Sequence, residues 1–191
     1  MSKKSQKREA IVTLVWIIVI AGLLLGGFQL LRVYLNTDAP FRIISDQPSS
    51  MAPNMYYGDV GVIQNVPPYQ IGIGDVIVFN AYNWYLYNYT IPPAPVMHRV
   101  IDVKFEDGQF WYKTWGDNRL TNPTPDPGWT PDWLVYGKVI LTLPRIGLVS
   151  IWFNEGGYIL VVVILAIFAV VYGIWESEKE VPLSDQSDKS D

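Results

Sequence analysis

The sequence has no cysteine, which excludes disulfide staples, redox chemistry and thiolate metal sites. It has a single histidine, His98, so any imidazole chemistry must pass through that one residue. Charge is scarce, with 17% of residues charged and a net charge of −4, much of the acidity lying in the last residues. Nothing forms the basic footprint that nucleic-acid binding requires, and there is no internal repeat. At 191 residues the chain has room for one globular domain with appendages.

What is abundant is apolar residues, and they are unevenly spread. From Ala10 to Phe28 no side chain is charged, and apolar character continues past Gln29 to Leu31. At about 1.5 Å per residue such a run matches a bilayer core of roughly 30 Å. It is too long for the apolar region of a cleavable signal and ends without a small-x-small exit site, so it reads as a retained span over 10–32. A second uncharged stretch, Tyr158 to Trp175, has aromatic ends suited to the membrane boundary and reads as a second span over 157–175. Lys3, Lys4, Lys7 and Arg8 precede the first run, against Arg32 and Arg42 after it, which predicts a cytoplasmic amino terminus over 1–9. The segment 36–153 then faces outward, and the acidic tail, 176–191, reads as disordered.

Within 36–153 short apolar runs alternate with Gly and Pro. Strands are expected at Asp59 to Val66, Asp75 to Phe79, Met97 to Phe105, Phe110 to Lys113 and Leu134 to Leu143. The fold class is therefore mainly β, and Asp107-Gly108 marks a hairpin. Two loops stand apart. Asn80 to Pro95 carries Tyr82, Trp84, Tyr85, Tyr87 and Tyr89; it reads either as a twisted edge hairpin with an aromatic face or as an interfacial or partner surface. Asn88-Tyr89-Thr90 within it fits a glycosylation sequon. Asn118 to Asp132 holds four prolines, whose fixed dihedrals would hold nearby carboxylates in place at low entropic cost.

Five boxes follow one another after the first span: Ser50-Met51-Ala52-Pro53, Gly74-Asp75-Val76-Ile77-Val78-Phe79, His98-Arg99-Val100, Gly116-Asp117-Asn118 and Gly137-Lys138-Val139. In this order, over about 41–147, they resemble the boxes of type I signal peptidases, of the archaeal and endoplasmic-reticulum type that uses a histidine where bacterial members have lysine. The resemblance implies a signal-peptidase-like β-domain between two transmembrane helices, with Ser50 as nucleophile and His98 as base. An unperturbed imidazole, with a pKa of about 6.5, can take a serine proton near neutrality. By the same resemblance Asp126 is the expected partner of His98 and Asp117 a supporting site residue, with Asp132 a weaker substitute; archaeal relatives place the second aspartate closer to the first, so the resemblance implies a small insertion around 119–121. Arg99 either faces solvent or pairs with Asp117.

One position departs from the pattern. Many relatives carry Ser or Thr two residues before the nucleophile, where this chain has Pro48, so Ser49 or another amide would have to help bind the oxyanion. Ser49 is also a minor alternative as nucleophile. The implied activity is removal of signal peptides from exported preproteins at the outer membrane face, with no metal or organic cofactor. The implied partners are signal peptides, the lipid bilayer and export-machinery or accessory subunits. The rival readings are a related protease with few surface-protein substrates and a non-catalytic anchored β-domain serving as a binding or accessory subunit.

Overall fold

The computed structural model describes residues 3–46, 49–90 and 95–179. Two compact units divide the chain, 1–147 and 148–191, and each is described by itself.

The first unit begins with helix α1, Lys3–Tyr34. It ends where Asn36 adopts a left-handed conformation (φ 50°), a residue type that tolerates this termination; Thr37 N–H then bonds back to Arg32 O at 3.1 Å. Its exit is tied down by buried Leu35, whose carbonyl accepts Asn65 N–H at 3.0 Å, and by Phe28 stacking on Phe41.

A single seven-stranded antiparallel sheet follows, built from β1 (Phe41–Ile43), β2 (Val60–Gln64), β3 (Val76–Phe79), β4 (Val96–Glu106), β5 (Gln109–Trp115), β6 (Thr130–Pro131) and β7 (Val135–Leu143). The strand order is β1-β2-β7-β3-β4-β5-β6. Central β3 shows why the run Val-Ile-Val-Phe is apolar without alternation. Successive strand side chains point to opposite faces. Val76 and Val78 pack with Ile44, Met51, Ile63 and Met97, whereas Ile77 and Phe79 pack with Ile71, Val100 and Tyr112. Both faces are thus covered, and all four residues are buried. Tyr112 is fully buried, and its hydroxyl donates to Pro68 O at 2.8 Å. Burial, with the charge of Asp132 adding to it, pushes its phenol up to about 12.

The five expected strands correspond to β2, β3, β4, β5 and β7 with ends moved by a few residues. The β4–β5 turn has Asp107 at φ 51° and Gly108 at φ 80°, the two positive values that a two-residue hairpin turn needs. The edge strands β1 and β6 are three and two residues long, below the length at which an apolar pattern shows. The aromatic loop differs from the hairpin reading: Tyr82–Tyr87 is a 3-10 turn, ended by Asn88 in the left-handed region. Side-by-side aromatic residues there leave Tyr82, Tyr85, Tyr87 and Tyr89 exposed. Residues 91–94, which include the expected closing prolines, lie outside the described residues.

In the second unit a short helix α2 (Gly147–Trp152), beginning at the boundary, runs through a π-helical turn at Phe153–Gly157 into α3 (Tyr158–Lys179). Gly156, at φ 100°, takes the kink there. Among the described residues two helical stretches are long and apolar enough to cross a membrane, Ile11–Tyr34 and Gly147–Tyr172. The second starts ten residues before the expected 157, because helical turns precede the uncharged run. Helix α3 also takes in the first four residues of the expected tail, and the rest, 180–191, lies outside the described residues.

Candidate active site

Cross-strand pairing places His98. It sits opposite Ile77 in the β3–β4 register, so its ring falls on the Ile77 face, edge-on to Phe79 at 6.5 Å between centroids. The side chain is almost fully buried. A buried imidazole needs partners for its nitrogens, and Nδ1 lies 2.7 Å from Asp126 Oδ2. The same carboxylate oxygen accepts the Thr114 hydroxyl at 2.6 Å. Asp126 is itself fixed from both ends: its N–H bonds Thr114 O at 3.0 Å, and its carbonyl accepts Lys113 Nζ at 2.7 Å. An ionised carboxylate can only accept, so Nδ1 carries the proton and Nε2 is left as the basic nitrogen.

The residue after the serine packs on the other face of the sheet. Met51, 1% exposed, sits in the cluster with Ile44, Met55, Val76 and Val78. Burying such a side chain stabilises by about 1.5–3 kcal/mol and so anchors the turn that carries Ser50. A second set of contacts grips the backbone of that turn. Ser50 O accepts Asn118 N–H at 2.9 Å and Asn122 Nδ2 at 3.2 Å, and Ser49 O accepts Asn118 Nδ2 at 3.0 Å. This approach requires glycine at 116: a Cβ there would lie 2.8 Å from Ser50 O and 2.5 Å from Asn122 Nδ2. Ser50 and His98 line one cleft of about 380 Å³, along with Asp46, Trp84 and Asn122.

No family model matches the chain. Among curated proteins it is similar to the signal peptidase complex catalytic subunit SEC11 of Plasmodium falciparum (isolate 3D7), 27% identical over 133 residues, which is 67% of this chain and 66% of that protein. The likeness is to a catalytic subunit of signal peptidase, the family whose boxes the order of the five motifs resembles. The chain spans about two thirds of that relative's length.

In this chain the two expected carboxylates part company. Asp126 reaches His98, whereas Asp117 does not. Asp117 accepts Arg99 Nε at 2.8 Å and Nη2 at 2.6 Å, and Asn54 Nδ2 at 2.7 Å. Burial pushes its carboxyl up, but hydrogen bonds from Arg99 and Asn54 and the charges of Arg99 and Arg119 outweigh that and hold it below its ordinary 3.8. The hydrogen bond to Asp117 raises the Arg99 guanidinium, against a smaller loss by burial. Because Asn54 lies on the Ser50 turn, Asp117 braces that turn against β4. Asp132 stands apart from both, accepting Gln109 Nε2 at 2.9 Å beside β5.

Ser49 is buried, and its hydroxyl accepts Met51 N–H at 3.2 Å; Ser50 is the serine that lines the cleft. Pro48 lies outside the described residues. Sequence reasoning missed Thr114, Asn54 and Asn122. Thr114 gives no signal, since threonine is an ordinary strand residue. Asn122 is presented by the turn 118–122, closed by Asn122 N–H to Asn118 O at 2.9 Å, and that turn contains the expected insertion.

Proposed function

We propose that this chain is a membrane-anchored serine endopeptidase that removes signal peptides from exported preproteins. The observation that carries the reading is the buried His98–Asp126 pair, 2.7 Å apart, on the same cleft as Ser50. His98 Nε2 takes the Ser50 proton as Oγ attacks the scissile carbonyl carbon. Asp126 holds the ring in the tautomer this needs and stabilises the imidazolium. The imidazolium then protonates the departing amine as the C–N bond breaks, leaving an acyl-Ser50 ester. Water, deprotonated by the same imidazole, hydrolyses that ester. Asp117, already neutralised by Arg99, acts as a positioning residue for the Ser50 turn.

Both apolar helices cross the bilayer in this reading, with the β-domain on the extracytoplasmic side where an emerging signal peptide presents its cleavage site. The relative named above is a catalytic subunit of a signal peptidase complex, which supports both the substrate class and the expectation of accessory subunits. The test is preprotein cleavage by full-length chain in membranes. Ser50→Ala and His98→Ala should each abolish measurable cleavage, and activity near wild type in both would reject the assignment in favour of a non-catalytic module.

A further inference from the structure

The amide that a serine protease of this kind would turn on its oxyanion is already engaged. Ser50 N–H donates to Asp46 Oδ2 at 2.6 Å, and both residues line the cleft that His98 shares. In acyl transfer by serine the nucleophile's own amide is a donor aimed at the developing negative charge. No immediate neighbour relieves it of that task. Pro48 has neither an N–H nor a hydroxyl, and the Ser49 hydroxyl is buried on the Met51 amide. A carboxylate oxygen on Ser50 N–H therefore takes the place of the oxyanion, with the same sign of charge. The two cannot share one donor, since like charges within hydrogen-bond reach of the same N–H repel.

A destination for the displaced carboxylate lies on the same wall. Arg42 on β1 lines the cleft and is half-buried, with Nη2 donating to Pro95 O at 2.9 Å. Burial pushes its guanidinium down, and the charge of Asp46 pushes it back up, so the two groups are within electrostatic reach.

We propose that Asp46 is a self-inhibitory latch on the Ser50 amide, released toward Arg42 as negative charge develops on the substrate carbonyl. The inference rests on the serine-protease reading and adds a residue that limits its rate. The competing explanation is that Asp46 merely caps the turn and shapes it.

Two substitutions separate them in the full-length chain, with preprotein cleavage followed to give kcat and KM. Asp46→Ala removes the charge and the acceptor; Asp46→Asn removes the charge and keeps an acceptor. A latch predicts that Ala raises kcat/KM by about three- to tenfold, the reciprocal of the open fraction, that Asn gives a smaller rise, and that the gain lies in kcat. A cap predicts the reverse order, with Ala below wild type and Asn near it, and that result overturns the proposal. A gain confined to KM also overturns it, because it would mark Asp46 as repelling substrate rather than occupying the amide. Ser50→Ala is the control: cleavage that survives it, or none by wild-type protein, removes the protease reading and the latch with it, whereas an active wild type with an unimproved Asp46→Ala removes the latch alone.

Discussion

Asp117 and Asp126 are both largely buried carboxylates held beside the Ser50–His98 cleft, yet their surroundings differ in kind. Asp117 meets a fixed cation, Arg99, in a two-pronged contact. Asp126 meets a hydroxyl and an imidazole, neither of which carries a permanent charge. A carboxylate neutralised by a guanidinium has little left for a transient imidazolium, while one held by neutral donors keeps its charge for the moment the ring is protonated. The difference teaches that burial beside a reactive group does not make an acid a catalytic partner; the sign and permanence of its neighbours do.

The largest effect expected from this contrast is at Asp126. Asp126→Asn should lower kcat for preprotein cleavage by about 10³–10⁴ through the wrong imidazole tautomer, and a loss under tenfold would erase the distinction between the two acids. Asp117→Ala should cost less, about 10- to 100-fold, because it acts through the placement of Ser50; equal losses at the two sites would also break the contrast. Thr114→Val removes one donor from Asp126 without touching His98 and should destabilise the fold by about 1–3 kcal/mol, measured by denaturant unfolding, with a smaller activity loss than either acid.

The smallest effect is the acid limb of stability. The folded Asp117 carboxyl lies below its ordinary 3.8, so its contribution to stability is complete above that value and is lost as pH falls through the lower folded one. Asp117→Asn should therefore flatten the fall in stability below about pH 4 relative to wild type. Parallel curves for the two proteins would show that the Arg99 pair carries no net folding energy.

Legibility followed length and periodicity. The strands β2, β3, β4, β5 and β7 showed because each holds three or more β-branched or aromatic residues in a short run, and the β4–β5 turn showed because Asp-Gly is chemically suited to positive φ. Edge strands β1 and β6 were hidden, since two or three residues carry no period and their pairing is decided by β2 and β5. The aromatic run 82–87 misled because tyrosine and tryptophan favour strands, while its local chain closed into a 3-10 turn instead. The order of the boxes brought Ser50, His98, Asp117 and Asp126 to attention. Nothing in that order reveals Thr114, Asn54, Asn122 or Asp46, whose parts depend on which backbone atom they meet.

The sequence by itself determined that the chain has two bilayer-length apolar runs, a β-rich segment between them, one imidazole and no thiol, because those properties reside in composition and short-range pattern. Tertiary structure alone decided which acid faces the imidazole, that Arg99 takes the other, and that Asp46 sits on the Ser50 amide. Those pairings join residues that are 4 to 28 positions apart, and distance along a chain says nothing about hydrogen-bond distance until strand register and turn closure have set the backbone.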